Sequence, residues 1–155
     1  MSTTDYQNRK YDFLGFRGAK ATGDQRLDMA LYSETDSGQI CVGVQKLAQR
    51  WSLEFFTELG GLRGLPDRGS DFITALNSNT LRSENDIFTA FALTDLDIAR
   101  QLQNEEYAGM PDDERFVSAT LTSVIFYPGY LNMHVLITSR AGDTHNVILP
   151  IATLP

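Results

Sequence analysis

The stretch VSATLTSVIFYPGYLNMHVLITSRAGDTHNVILPI, residues 117–151, decides the fold. Its apolar residues recur at every second position. Val117, Ala119, Leu121, Ser123 and Ile125 share one face of an extended chain, and Thr120, Thr122, Val124 and Phe126 share the other. Leu131, Met133, Val135 and Ile137 alternate with Asn132, His134 and Leu136, and His145, Val147, Leu149 and Ile151 make a third row. Period two is the pattern of a half-buried strand. Pro128-Gly129 and Ser139-Arg140-Ala141-Gly142-Asp143 supply the turns between rows. The stretch therefore predicts a three-stranded antiparallel meander. Pro150 has no N–H to give to a ladder, so the last strand is either an edge or ends there.

Upstream the period changes. Val44, Leu47, Ala48, Trp51, Phe55, Phe56 and Leu59 lie along one side of a helix, and Gln45, Lys46, Gln49, Arg50, Glu54 and Glu58 fall mostly opposite. Gly60-Gly61 is the expected stop. A glycine-rich loop follows, in which Ser70 is expected to cap a short helix that turns Phe72, Ile73 and Leu76 inward. Ser83 reads as the N-cap of a longer helix with the inner stripe Ile87, Phe91, Thr94, Ile98 and Leu102, fading near Asn104. Before the first helix, Leu27, Met29 and Leu31 alternate, a turn follows, and Ile40, Val42 and Val44 alternate again; the spacing predicts a β-hairpin over 27–44. Strands and helices are segregated along the chain. That order predicts an α+β fold: an N-terminal arm and β-hairpin, two main helices plus a short one, and the C-terminal three-stranded antiparallel meander.

The chain has 155 residues, enough to bury roughly two-thirds of its unfolded surface around one core. Net charge is −7, unevenly spread. Residues 1–26 hold five basic and three acidic side chains, and 27–155 hold eight basic and seventeen acidic ones. A basic, aromatic arm (1–26) thus precedes an acidic body (27–155). An acidic balance argues against nucleic acid as partner. No apolar run approaches the roughly 20 residues of a membrane-spanning helix, so no membrane partner is expected.

Residues that carry chemistry are sparse. Cys41 is the sole cysteine and sits in a predicted strand, where it reads as a small buried hydrophobe. If Thr138 pairs with Thr144, His145 lies opposite Ile137 and the imidazoles of His134 and His145 point to opposite faces. A shared metal would then need a register slip and a third ligand, and no cofactor is expected. Glu105-Glu106 and Asp112-Asp113-Glu114 form the densest carboxylate groups, in a polar connector read as a solvated acidic loop. A catalytic pair drawn from Glu114 with Asp112 or Asp113 would make the chain a peptidoglycan hydrolase, the alternative to a non-enzymatic role; a general acid there would need burial to tune it. The Gly64–Phe72 loop can present Arg63 and Arg68 to an acidic neighbour.

The helix Lys46-Leu47-Ala48-Gln49-Arg50-Trp51 with Phe55-Phe56-Thr57-Glu58-Leu59-Gly60 leads into a Pro66, Gly69-Ser70-Asp71-Phe72 loop. A long helix follows, then Asp113-Glu114-Arg115-Phe116-Val117 opens the meander. Over residues 40–151 this order resembles the contractile-tail baseplate wedge family, the sheath-initiator proteins of myophages, related to a type VI secretion baseplate subunit. Two positions depart from the family pattern: Arg68 stands where an aromatic is usual, and Glu114-Arg115 lacks an intervening proline. The resemblance implies a structural subunit of the virion, in a six-fold ring of the tail baseplate assembled in the host cytoplasm. Its partners would be other wedge subunits and the tail sheath subunit, whose first ring it would template by β-strand addition. On that reading the partner-facing residues are Tyr11, Phe13 and Phe16 of the arm and Arg63 and Arg68 of the loop. The meander would add Leu131, Met133, Val135 and Ile137 from one strand and His145, Val147 and Leu149 from the next. A small adaptor outside any tail is a third possibility.

Overall fold

The computed structural model describes residues 10, 12–13, 40–78 and 80–153. The fold is α+β. A two-stranded ladder joins β1 (Asp12–Phe13) to β2 (Ile40–Cys41). Three helices follow: α1 (Gly43–Phe56), α2 (Phe72–Asn77) and α3 (Glu84–Asn104). After a 3-10 turn at Asp112–Glu114 the chain forms β3 (Phe116–Tyr127), β4 (Tyr130–Ser139) and β5 (Thr144–Ala152), antiparallel in the order β3-β4-β5.

The strand at Ile40 differs from expectation. It ends at Cys41, because Val42 is already the N-cap of α1. Its partner is Asp12–Phe13, within the basic, aromatic arm where no strand is expected, with Asp12 opposite Cys41 and Phe13 opposite Ile40. The first strand of the expected hairpin, Leu27 to Tyr32, lies outside the described residues.

Helix α1 stops three residues before the expected Leu59. Its last turn gives way to a parallel bridge between Glu58 and Ser70. Leu59 N donates to Ser70 O at 3.1 Å and Ser70 N to Thr57 O at 2.8 Å. The loop comes so close that position 69 must be glycine. Gly69 has φ +103°, and a Cβ there would sit 2.5 Å from Thr57 O. Ser70 does not cap α2. Its hydroxyl donates to Phe55 O at 2.7 Å, and Asp71 is the N-cap residue.

The core is built from the expected rows. Leu47, Trp51 and Phe55 of α1 meet Phe72 of α2, the Ile87–Leu102 stripe of α3 and the inner face of the sheet. Trp51 and Phe55 stack at 5.1 Å, and Phe55 and Phe72 lie 4.9 Å apart. Ser83 caps α3 through a capping box with Asp86. The polar side of α1 is less exposed than its sequence suggests, for Lys46, Gln49 and Glu54 are all buried. In β3 two irregularities, at Phe116/Ser118 and Leu121/Ser123, interrupt the strict alternation. Phe116, Ala119, Leu121 and Val124 therefore face the core, while Val117 and Ile125 are exposed.

Candidate functional site: the outer edge of β5

Each strand of the sheet has two flanks, and their occupancy decides what can dock there. β4 lies in the middle, hydrogen-bonded to β3 on one side and to β5 on the other. Leu131, Met133, Val135 and Ile137 are each 0% exposed. This corrects their assignment to a partner interface: their backbone is fully used and their side chains are core.

Helix α3 packs against β3 through the shared core. Asp95 accepts from Trp51 Nε1 at 3.0 Å, so one carboxylate joins α1 and α3. Burial pushes its pKa above the ordinary range, against the Trp51 hydrogen bond and the Ala119 backbone N–H, which lower it.

The outer flank of β5 pairs with no strand among the described residues. Its geometry follows from the register. Thr138 faces Thr144 and Tyr130 faces Ala152. At one end Ser139 N donates to Asp143 O at 2.9 Å and Gly142 N to Ser139 O at 3.0 Å; at the other Thr153 N donates to Gly129 O at 3.0 Å. Backbone hydrogen bonds in an antiparallel ladder fall on alternate pairs. The pairs 131/151, 133/149, 135/147 and 137/145 therefore carry them, and Thr144, Asn146, Ile148, Pro150 and Ala152 direct their main-chain groups away from β4. Pro150 sits where its missing N–H costs the internal ladder nothing, and the strand runs on to Ala152. Thr144, Asn146 and Ala152 are exposed, and Ile148 and Pro150 are half-buried. No charged side chain occurs along β5. Sequence reasoning named the other parity, His145, Val147 and Leu149, by following side chains. The signal for the flank was Pro150: positions sharing its parity share its outward direction.

Val147 and Leu149 belong to the core, and His145 is half-buried opposite Ile137. His134 pairs with Ile148 on the opposite sheet face, so the two imidazoles are separated as the Thr138–Thr144 pairing requires. Burial lowers the His145 pKa from 6.5. A depressed folded-state pKa means that the unfolded chain takes the proton more readily. His145 therefore contributes stability that is present above pH 6.5 and is lost as pH falls through its folded value. His145→Gln is expected to flatten the decline in urea midpoint below pH 6.5; an unchanged slope would show that His145 does not carry it.

The remaining candidates divide. Tyr11 and Phe16 lie outside the described residues, and the backbone of Phe13 pairs with Ile40. Arg63 is exposed. Arg68 is not free for a partner. Its guanidinium is ion-paired with both Glu54 and Glu105, and Glu105 also takes Arg50 Nη2 at 2.6 Å. The loop is thereby tied to α1 and to the connector after α3.

Glu114 does not belong to the solvated acidic loop that its acidic neighbours predict. It is 1% exposed, with Oε2 2.7 Å from Lys46 Nζ. Its Oε1 accepts from Gly43 N at 3.4 Å, so it meets the N-terminus of α1, where Val42 makes no side-chain cap bond. Lys46 Nζ also donates to Lys10 O at 2.6 Å. The pair ties Lys10 to the body and leaves the carboxylate buried. Cys41 is buried and its thiol is pushed up to about 11, chiefly by burial and then by Asp12. It is a thiol, not a thiolate, at neutral pH.

Scans against family models, curated proteins and solved structures returned no match to this chain.

Proposed function

We propose that the chain is a non-enzymatic assembly subunit that receives an extended segment of a partner along β5. We further propose that its setting is the baseplate wedge of a contractile tail, with the sheath subunit as donor of that segment. The observation that carries the reading is an uncharged outer flank on β5 that pairs with no strand among the described residues. Strands with open flanks are usually blunted in proteins that act alone, by charge, by bulges or by a covering element. Among the described residues Pro150 does that work on β5. Strand addition takes its affinity from main-chain hydrogen bonds, which Thr144, Asn146 and Ile148 offer in a row. The setting rests on the motif order of residues 40–151, and the neighbouring wedge subunits would meet the arm and the exposed Arg63.

Asn146→Pro tests the reading without cutting the internal ladder, because the Asn146 N–H points outward. The variant is expected to keep its circular dichroism and a Tm within a few degrees of wild type. It should fail to support sheath assembly on baseplates. Normal sheath growth from the folded variant would remove the strand-uptake role.

A further inference from the structure

We infer that Pro150 selects the occupant of the β5 flank, rejecting a second copy of this chain and admitting the strand of a different protein. The inference rests on the open flank proposed above and adds what decides between partners. A strand flank that can receive a foreign strand can also receive its own duplicate, the route to unwanted pairing. Two copies meeting antiparallel over the whole of β5 would centre on Ile148. Asn146 of each copy would then face Pro150 of the other, and Thr144 would face Ala152. Symmetry counts the proline twice. At two of five pairing positions the N–H is missing, and a pyrrolidine ring stands where the opposing strand must approach. Moving the centre to Asn146 avoids the proline but leaves three pairs, Thr144 with Ile148 and Asn146 with itself. Nothing along β5 offsets the repulsion between two bodies of like net charge, −7 each. A strand from another protein meets one proline, not two, and can end or bulge opposite it. The site therefore fits an extended segment of about five residues, paired over Thr144 to Ile148, from a protein other than this one.

The test is self-association of the full chain in sedimentation velocity. Wild type is expected to stay monomeric. Pro150→Val, and separately Pro150→Thr, should associate at least tenfold more tightly while retaining the wild-type circular dichroism. Adding Asn146→Pro to Pro150→Val should restore the monomer, which places the contact on β5. A wild type that dimerises through β5, or folded Pro150 variants that both stay monomeric, would overturn the inference. Backbone amide exchange at Asn146 and Ile148 in free wild type separates this from the reading beneath it. Fast exchange with monomeric variants rejects only the role of Pro150, whereas protection in the free monomer rejects the open flank itself.

Discussion

Glu114→Ala is expected to lower stability by about 3–5 kcal/mol, read as a fall in urea midpoint. The size follows from what is left behind. Lys46 Nζ, 2.7 Å from Glu114 Oε2, would remain in a buried position with Lys10 O as its recorded partner. The N-terminus of α1 would lose the carboxylate at Gly43 N as well. Removing half of a buried ion pair costs more than removing all of it. The double variant Lys46→Met with Glu114→Leu should therefore recover most of the loss. It should still loosen the segment at Lys10, because the ammonium that holds its carbonyl is gone. A near-wild-type midpoint for Glu114→Ala would show that the ammonium finds solvent, and that the clamp is not what fastens this corner.

Trp51→Ala is expected to be comparably damaging, about 3–5 kcal/mol from lost packing around a wholly buried indole. Trp51 stacks on Phe55 and lies 5.8 Å from Phe91. Its Nε1 is one of the donors that hold Asp95. Trp51→Phe keeps most of the apolar volume but drops that donor, so a smaller loss of about 1–3 kcal/mol is expected. Both variants free Asp95 from that donor, and because the Ala119 N–H also acts on this carboxylate, faster exchange of the Ala119 amide is expected in each. Unchanged Ala119 exchange in Trp51→Phe would mean that Asp95 keeps its place without the indole N–H.

Regular periodicity was legible and exceptions to it were not. The α3 stripe from Ile87 to Leu102, its Ser83 cap and the β4 row from Leu131 to Ile137 follow from spacing alone, since each is a long run with one buried side. The Thr138–Thr144 pairing, a condition in the reading of the two histidines, is the one the sheet adopts. Breaks in period were hidden. The β3 irregularities move Val124 inward, and the bridge from Glu58 to Ser70 unwinds the end of α1; both depend on contacts distant in sequence. The burial of Lys46, Gln49 and Glu54 could not be read, because a polar residue on a helix looks solvated until its partner is placed. The misassigned flank has a different cause. A meander always puts its second strand in the middle, so Leu131 to Ile137 could never be a free border. Side-chain alternation drew attention to the inward parity when the outward one was needed.

The β1–β2 ladder has a bearing on how this molecule can vary. Phe13 and Ile40 stand side by side, so the twenty-six residues between them begin and end at a single doorway. Closing a longer connection across that doorway adds little, about 0.6 kcal/mol for each doubling of its length. Tolerance of insertions between Phe13 and Ile40 is what the doorway allows.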